Sequence, residues 1–296
     1  MLLIAVLIAV ALIFDFLNGL HDAANSVATI GTGIIAPSVI DDSVIFGALM
    51  GAIVWNVVTW LAGIPSSSSH ALIGGLVGAG LCKGGWKVIV WSGLGKTAAA
   101  IFLSPATGFL LALLLVLIVS WTFLKASPFW VDGVFRHMQF ISASAYSLGH
   151  GGNDAQKTMG IIAALLFAHG MEQGSFHVPF WVVMSCQAAM ALGTLFGGWR
   201  IVRTMGSRIT HLTPMQGVCA ETAGALTLFG ATYMGVPVST THTITGAIVG
   251  VGAARRASAV RWNVAKDIVV AWIVTMPAAG LIGAVFYLLA AAFHFT

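Results

Sequence analysis

Six stretches of this 296-residue chain are long and apolar enough to cross a lipid bilayer, near residues 1–20, 44–64, 98–124, 178–199, 214–236 and 268–293. Hydrophobic residues make up 58% of the chain and charged residues 7%. A soluble domain carries roughly 25% charged residues, so this chain could not cover a water-facing surface. Mean hydropathy is +0.97. Alternating strands with charged turns, the mark of an outer-membrane barrel, are missing. Helices are the remaining way to satisfy a backbone in lipid. The expected fold is an all-α polytopic membrane protein. Its net charge of +4 sits in short loops, which fits headgroup contact and gives no case for nucleic acid. Residues 1–13 have no basic start and no A-x-A-like cleavage site, and read as a retained first span rather than a signal peptide. Cys82, Cys186 and Cys219 fall in no metal-ligand spacing and say nothing of disulfides.

Shorter, polar-interrupted segments lie between the spans, at 20–35, 68–82, 139–149, 153–168 and 239–253. A run of about 15 residues covers only ~22 Å of a ~30 Å hydrocarbon core, so these read as broken helices or re-entrant hairpins. The chain also repeats itself. GIPSSSSHALIGGLVGAG (63–80) matches GVPVSTTHTITGAIVGVG (235–252) at an offset of 172, and SPATG (104–108) meets MPAAG (276–280) at the same offset. Pro105 and Pro277, inside long spans, read as kinks. Two homologous repeats follow, over 1–124 and 137–296, the second carrying an extra span near 178–199 and a basic tail of Arg200, Arg203 and Arg208. Interrupted helices paired between two halves are the pattern of a secondary transporter, with the binding site where the helices break. Orientation is contested within the sequence. Loops 82–97 and 254–266 are both basic, and the positive-inside rule would put both in the cytoplasm. Inverted repeats would put them on opposite faces, and this is the reading adopted. Loops 36–43 and 169–177, without Lys or Arg, are the candidates for the outer face.

Charged side chains at the centre of a membrane helix cost about 2.5–3.5 kcal/mol each on insertion scales, and this chain gathers them into two clusters. FDFLNGLHDAANSVATIGTG (14–33) holds Asp15, Asn18, His21, Asp22 and Asn25; LGHGGNDAQKTMGII (148–162) holds Asn153, Asp154, Gln156 and Lys157. Asp22 and Asn25 lie three apart, on one helix face. A carboxylate and an amide oxygen so placed suit a hard cation such as Na⁺, and the acid alone suits a proton. Asn153 and Asp154 offer the same ligand types, against a bland role as caps or packing polars. Lys157 either neutralises Asp154, faces an anion, or snorkels to the interface. Ser66–Ser69 and Ser239–Thr241 each precede a glycine-rich helix. Hydroxyls at a helix start, with its dipole and free N–H groups, make an oxyanion cradle; plain N-capping is the alternative. His70 and His242 behind them read as structural, and Glu221, in an apolar run, is a candidate cation ligand or proton carrier.

Taken together, NGLHDAANSVATIG (18–31), GHGGNDAQKTMGII (149–162), PSSSSH (65–70), PVSTTH (237–242) and the segment around Glu221 resemble the inorganic phosphate transporter (PiT) family over nearly the whole chain. The resemblance implies a symporter of inorganic phosphate coupled to Na⁺ or H⁺, working by alternation of inverted repeats, with no bound cofactor and no enzymatic activity. It implies phosphate contacts from Ser68, Ser69, Asn153, Thr240, Thr241, Asp22 and Asp154, and coupling-ion contacts from Asp22, Asn25, Asn153, Asp154 and Glu221. His21 and Lys157 stand where the family pattern has Asn, the second a form similar to bacterial members. That loss of amide oxygens leaves Na⁺ and H⁺ both open. With no long hydrophilic loop between the halves, the expected address is the plasma (inner) membrane of a prokaryote. Self-association is left open. Two rivals stand beside this reading: a symporter of another tetrahedral oxyanion, above all sulfate, and an intramembrane lipid-phosphate hydrolase using His70 or His242.

Overall fold

The computed structural model describes residues 33–171, 177–234 and 238–293, with the side chains of residues 152, 153, 156, 168 and 196 outside the description. The first polar cluster, with Asp22 and Asn25, lies outside the described residues. Nine α-helices are described: α1 Asp42–Ala62, α2 Ser68–Gly84, α3 Trp91–Thr122, α4 Pro128–Ala168, α5 Phe180–Phe196, α6 Trp199–Arg203, α7 Pro214–Tyr233, α8 Thr240–Arg255 and α9 Trp262–Ala292. Of these, α1, α3 and α9 are each long and apolar enough to cross a membrane, and α5 with the bent segment after it makes a fourth, broken span with a 61° turn.

The repeat seen in the sequence is a repeat of helices. Asp42, Ser68 and Trp91 open α1, α2 and α3, and the openings of α7, α8 and α9 fall at the same offset to within a residue. The two hairpin helices start with the same chemistry. Gly63 closes α1 at φ +68°, a left-handed position that a Cβ would strain. Ser67 then caps α2 by accepting from the His70 N–H, and Ser239 caps α8 by accepting from the His242 N–H, both at 3.3 Å.

The halves exchange partners. The most extensive helix contacts are α2 on α9 and α8 on α3, each hairpin helix lying along the long helix of the other half. Glycines make this possible. Gly74 and Gly78 abut the backbone of Met276 and Gly280, and Gly246 and Gly250 abut that of Pro105 and Phe109, with no room for a Cβ at any of the four. The helices α3 and α9 continue through Pro105 and Pro277. Both registers advance in the same direction, so α2 runs parallel to α9 and α8 parallel to α3. Since α3 starts at the end where α2 finishes, α2 and α8 point in opposite directions. The repeats are inverted.

This geometry sorts the basic residues. Lys83, Lys87 and Lys96 lie on one side, where Lys83 pairs with Asp41 and His169 lies 3.2 Å from Asp42. That contact puts loop 36–43 and His169, at the end of α4, on a common side. Toward the other side lie Lys125, Arg136, Arg200, Arg203, Arg208, Arg255, Arg256, Arg261 and Lys266; Arg261 there donates its N–H to the Ile209 carbonyl, and Thr210 donates to that of Ala259. The thirteenth base, Lys157, is buried between the two.

One expectation fails. Segments 139–149 and 153–168 are not separate short helices but parts of α4, 41 residues long and about 62 Å from end to end. The polar residues that interrupt the apolar run do not break the helix. His150, Asp154 and Lys157 stack at i, i+4 and i+7 on one face, and that face meets the hairpins.

Candidate functional site

The two hairpin starts meet at Asp154, 2% exposed. Its Oδ1 accepts from Ser69 at the head of α2 (3.3 Å) and from the Lys157 ammonium (2.6 Å). Its Oδ2 accepts from Thr240 at the head of α8 (2.9 Å) and lies 3.3 Å from His150 Nε2. One carboxylate thus ties both halves together. Lys157, 1% exposed, also donates to Ser69 Oγ. Of the three roles open to it in the sequence, it takes the first, neutralising Asp154.

Beside this cluster is a cavity of about 230 Å³ lined by Asn56, Thr59, Trp60, Ser66, Ser68, His150, Asp154 and Thr241, among others. The four hydroxyls expected around the substrate therefore divide into two kinds. Ser69 and Thr240 are spent on Asp154, whereas Ser68 and Thr241 face the cavity. The starts of α2 and α8 converge there, so the positive ends of two helix dipoles serve one space. With Asp154 neutralised by Lys157, the described wall carries no uncompensated negative charge. An oxyanion of tetrahedral size fits this setting.

Not every candidate gathers here. The Asn153 side chain is outside the described residues, as are Asp22 and Asn25. Glu221, on α7, accepts from Ser142, and Ser142 lies 12 residues before Asp154 on α4, about 18 Å along the helix. His70 and His242 do not line the cavity. They sit buried behind the hairpin starts with ring centroids 4.8 Å apart, and His242 stacks on Trp272 at 3.9 Å. The sequence reading missed the contribution of α1. Asn56 and Thr59 are polar residues three apart within the apolar run WNVVTW, a one-face spacing that marks a lined cavity. Thr59 accepts from Ser66 at 2.9 Å, joining α1 to the hairpin. His150 also passed unremarked, although it stands four residues before Asp154.

A second cleft of about 420 Å³ opens next to the first, lined by Leu61, Ala62, Gly63, Trp199, Arg200, Arg203, Thr204 and Arg208. Arg200 donates to the Leu61 carbonyl and Thr204 to that of Gly63 (3.0 Å), fixing these two residues against the end of α1. No described acid pairs with these three guanidinium groups. The residues that follow, 204–208, form a single π-helical turn, a feature frequent at functional sites.

Inverted repeats, opposed hairpins and a polar centre between them define a secondary transporter. The chain belongs to the phosphate transporter family, which it matches over residues 2–283. It is 66% identical to a protein of Rhizobium meliloti named "probable low-affinity inorganic phosphate transporter", across 95% of this chain and 94% of that one. A protein of the same name from Bacillus subtilis is 38% identical over 97% of both chains. Among solved structures, one titled "The sodium-dependent phosphate transporter" superimposes with a TM-score of 0.82 over 96% of this chain and 89% of that one, at 23% identity, and shows the same fold. Transporter family membership sets aside the hydrolase reading.

Proposed function

We propose that the chain is a secondary active symporter of inorganic phosphate in the plasma membrane of a prokaryote, holding phosphate in the cavity between the two hairpin starts. One observation carries this reading: Ser68 and Thr241, from opposite repeats, face one small cavity whose only described carboxylate is already neutralised. The names borne by the relatives point to the same substrate. Phosphate, which exists as a mono- or dianion near neutral pH, accepts hydrogen bonds from the hydroxyls and first-turn amides. The adjacent Arg200, Arg203 and Arg208 raise the local concentration of anions at the mouth. The mobile coupling cation, Na⁺ or H⁺, is assigned to the first motif, where Asp22 and Asn25 provide oxygen ligands three residues apart. Glu221, three turns along α4 from the centre, is a further acid on the basic side of the site. The function is tested by radiolabelled phosphate uptake into proteoliposomes, with equimolar sulfate as competitor. Uptake that sulfate leaves standing is expected; uptake abolished by equimolar sulfate would reassign the substrate.

The side holding nine of the thirteen Lys and Arg residues is assigned to the cytoplasm by the positive-inside rule. The structure would then be open toward the cytoplasm, since the cavity adjoins the basic cleft. Cys82, exposed at the end of α2, falls on the outer side and should react with a membrane-impermeant maleimide added to intact cells. Buried Cys186 and Cys219 should not. Labelling of Cys82 only in inverted vesicles would reverse the orientation.

A further inference from the structure

The two polar motifs align as DAAN (22–25) and DAQK (154–157). In the first, the residue three after the acid is an amide, whose oxygen can join a carboxylate in holding a cation. In the second it is an ammonium, which donates only. The ammonium lies where a cation would: 2.6 Å from Asp154 Oδ1 and in contact with Ser69 Oγ, between a helix of one repeat and the hairpin of the other. It is 1% exposed, and its carboxylate is 2% exposed. The other Asp154 oxygen is also engaged, by Thr240 and His150. The described partners engage both carboxylate oxygens, and a mobile cation brought there would meet a fixed one.

From this we infer that Lys157 is a tethered cation, permanently filling the position at Asp154 that its repeat-mate Asn25 leaves for a mobile ion. The second half of the site then takes no Na⁺, and the positive charge that offsets Asp154 stays with the protein through the transport cycle. Ser69 and Thr240, held by the Lys157–Asp154 pair, keep the hairpin starts together without a bound ion. The inference rests on the transporter reading but concerns the coupling cation rather than the substrate. It predicts that a single substitution adds an ion to the cycle.

The test compares wild type with Lys157→Asn and Lys157→Arg. In proteoliposomes loaded with ²²Na⁺ and ³²P-phosphate, K157N should carry one more Na⁺ per phosphate than wild type, with a correspondingly steeper Na⁺ dependence, while K157R keeps the wild-type ratio. Equal Na⁺-to-phosphate ratios in wild type and K157N would overturn the proposal. Should K157N not transport, two binding measurements decide. The melting temperature of purified K157N should rise when N-methylglucamine is replaced by Na⁺ more than that of wild type does; an identical response in both would overturn the proposal. Equilibrium ²²Na⁺ binding to wild type and the double variant D154N/K157M, which leaves no buried charge unpaired, should give the same number of ions, since Asp154 holds none; loss of one ion in a double variant that keeps the wild-type melting temperature would overturn it. Absence of phosphate uptake by wild type would instead count against the substrate assignment, leaving both binding measurements valid.

Discussion

Asp154→Asn is expected to abolish phosphate uptake, lowering the initial rate by about 100-fold or more in proteoliposomes. The reason lies in what the carboxylate holds. Its two oxygens bind Ser69 from one hairpin, Thr240 from the other, and the buried Lys157 ammonium. An asparagine keeps the shape and loses the charge, so Lys157 would be stranded at 1% exposure without a counter-ion. Breaking a buried pair by removing one partner costs about 3–5 kcal/mol, equivalent to roughly two to four decades in an equilibrium constant. Folding and function can be separated with the double variant D154N/K157M. Removing both charges should recover much of the melting temperature lost in D154N, and uptake should stay absent because the hairpins lose their common anchor. Full activity in either variant would show that the carboxylate is not the centre of the site.

The second large effect is steric. Gly78 lies so close to the Gly280 backbone that a Cβ cannot be placed without moving one helix. Overpacking typically costs about 1–3 kcal/mol, occasionally more. Here the obstacle is backbone rather than a side chain able to turn away, so Gly78→Val should lie at the upper end. Gly250→Val, against Phe109 in the other half, should behave alike. Gly230, in α7, has nothing within 4 Å of a Cβ, and Gly230→Ala should be neutral or slightly stabilising as a helix substitution. Thermal unfolding in detergent checks all three. A G78V melting temperature equal to wild type would mean that α2 and α9 are not packed in this register.

Much of this architecture was legible in the chain because duplication writes itself twice. PSSSSH and PVSTTH announced the hairpins, and the 172-residue offset announced that whole helices correspond. What the pattern could not show is which helix lies on which. The exchange of α2 and α8 onto the opposite half's long helix is a property of glycine surfaces that match only in three dimensions. Hydropathy also misled at α4. It registers GHGGND as a break, whereas in the structure these residues belong to a helix whose polar face is satisfied by neighbouring helices. The orientation conflict between two basic loops dissolves for the same reason. The loops do lie on opposite sides, and the bias comes from Arg200, Arg203, Arg208 and Lys125, which the sequence places on no side until the helices are assembled.

At the site, residue types named the right hydroxyls but not their division of labour. Ser68, Ser69, Thr240 and Thr241 are equivalent as letters; among the described residues Asp154 takes Ser69 and Thr240 as partners, and Ser68 and Thr241 face the cavity. Lys157 illustrates the same limit. A lysine three residues after an aspartate can turn several ways, and only the hairpin above it decides that it faces inward.

The most direct test of this account is radiolabelled phosphate uptake by purified protein in liposomes, wild type beside the double variant S68A/T241V. These side chains face the cavity and carry none of the Asp154 hydrogen bonds, so the variant should fold and insert normally. Wild type should accumulate phosphate, and the variant should show a KM raised about tenfold or more, each lost hydrogen bond to a charged group being worth about 1.5–3 kcal/mol. Uptake with an unchanged KM in the variant would contradict the account and move phosphate out of this cavity.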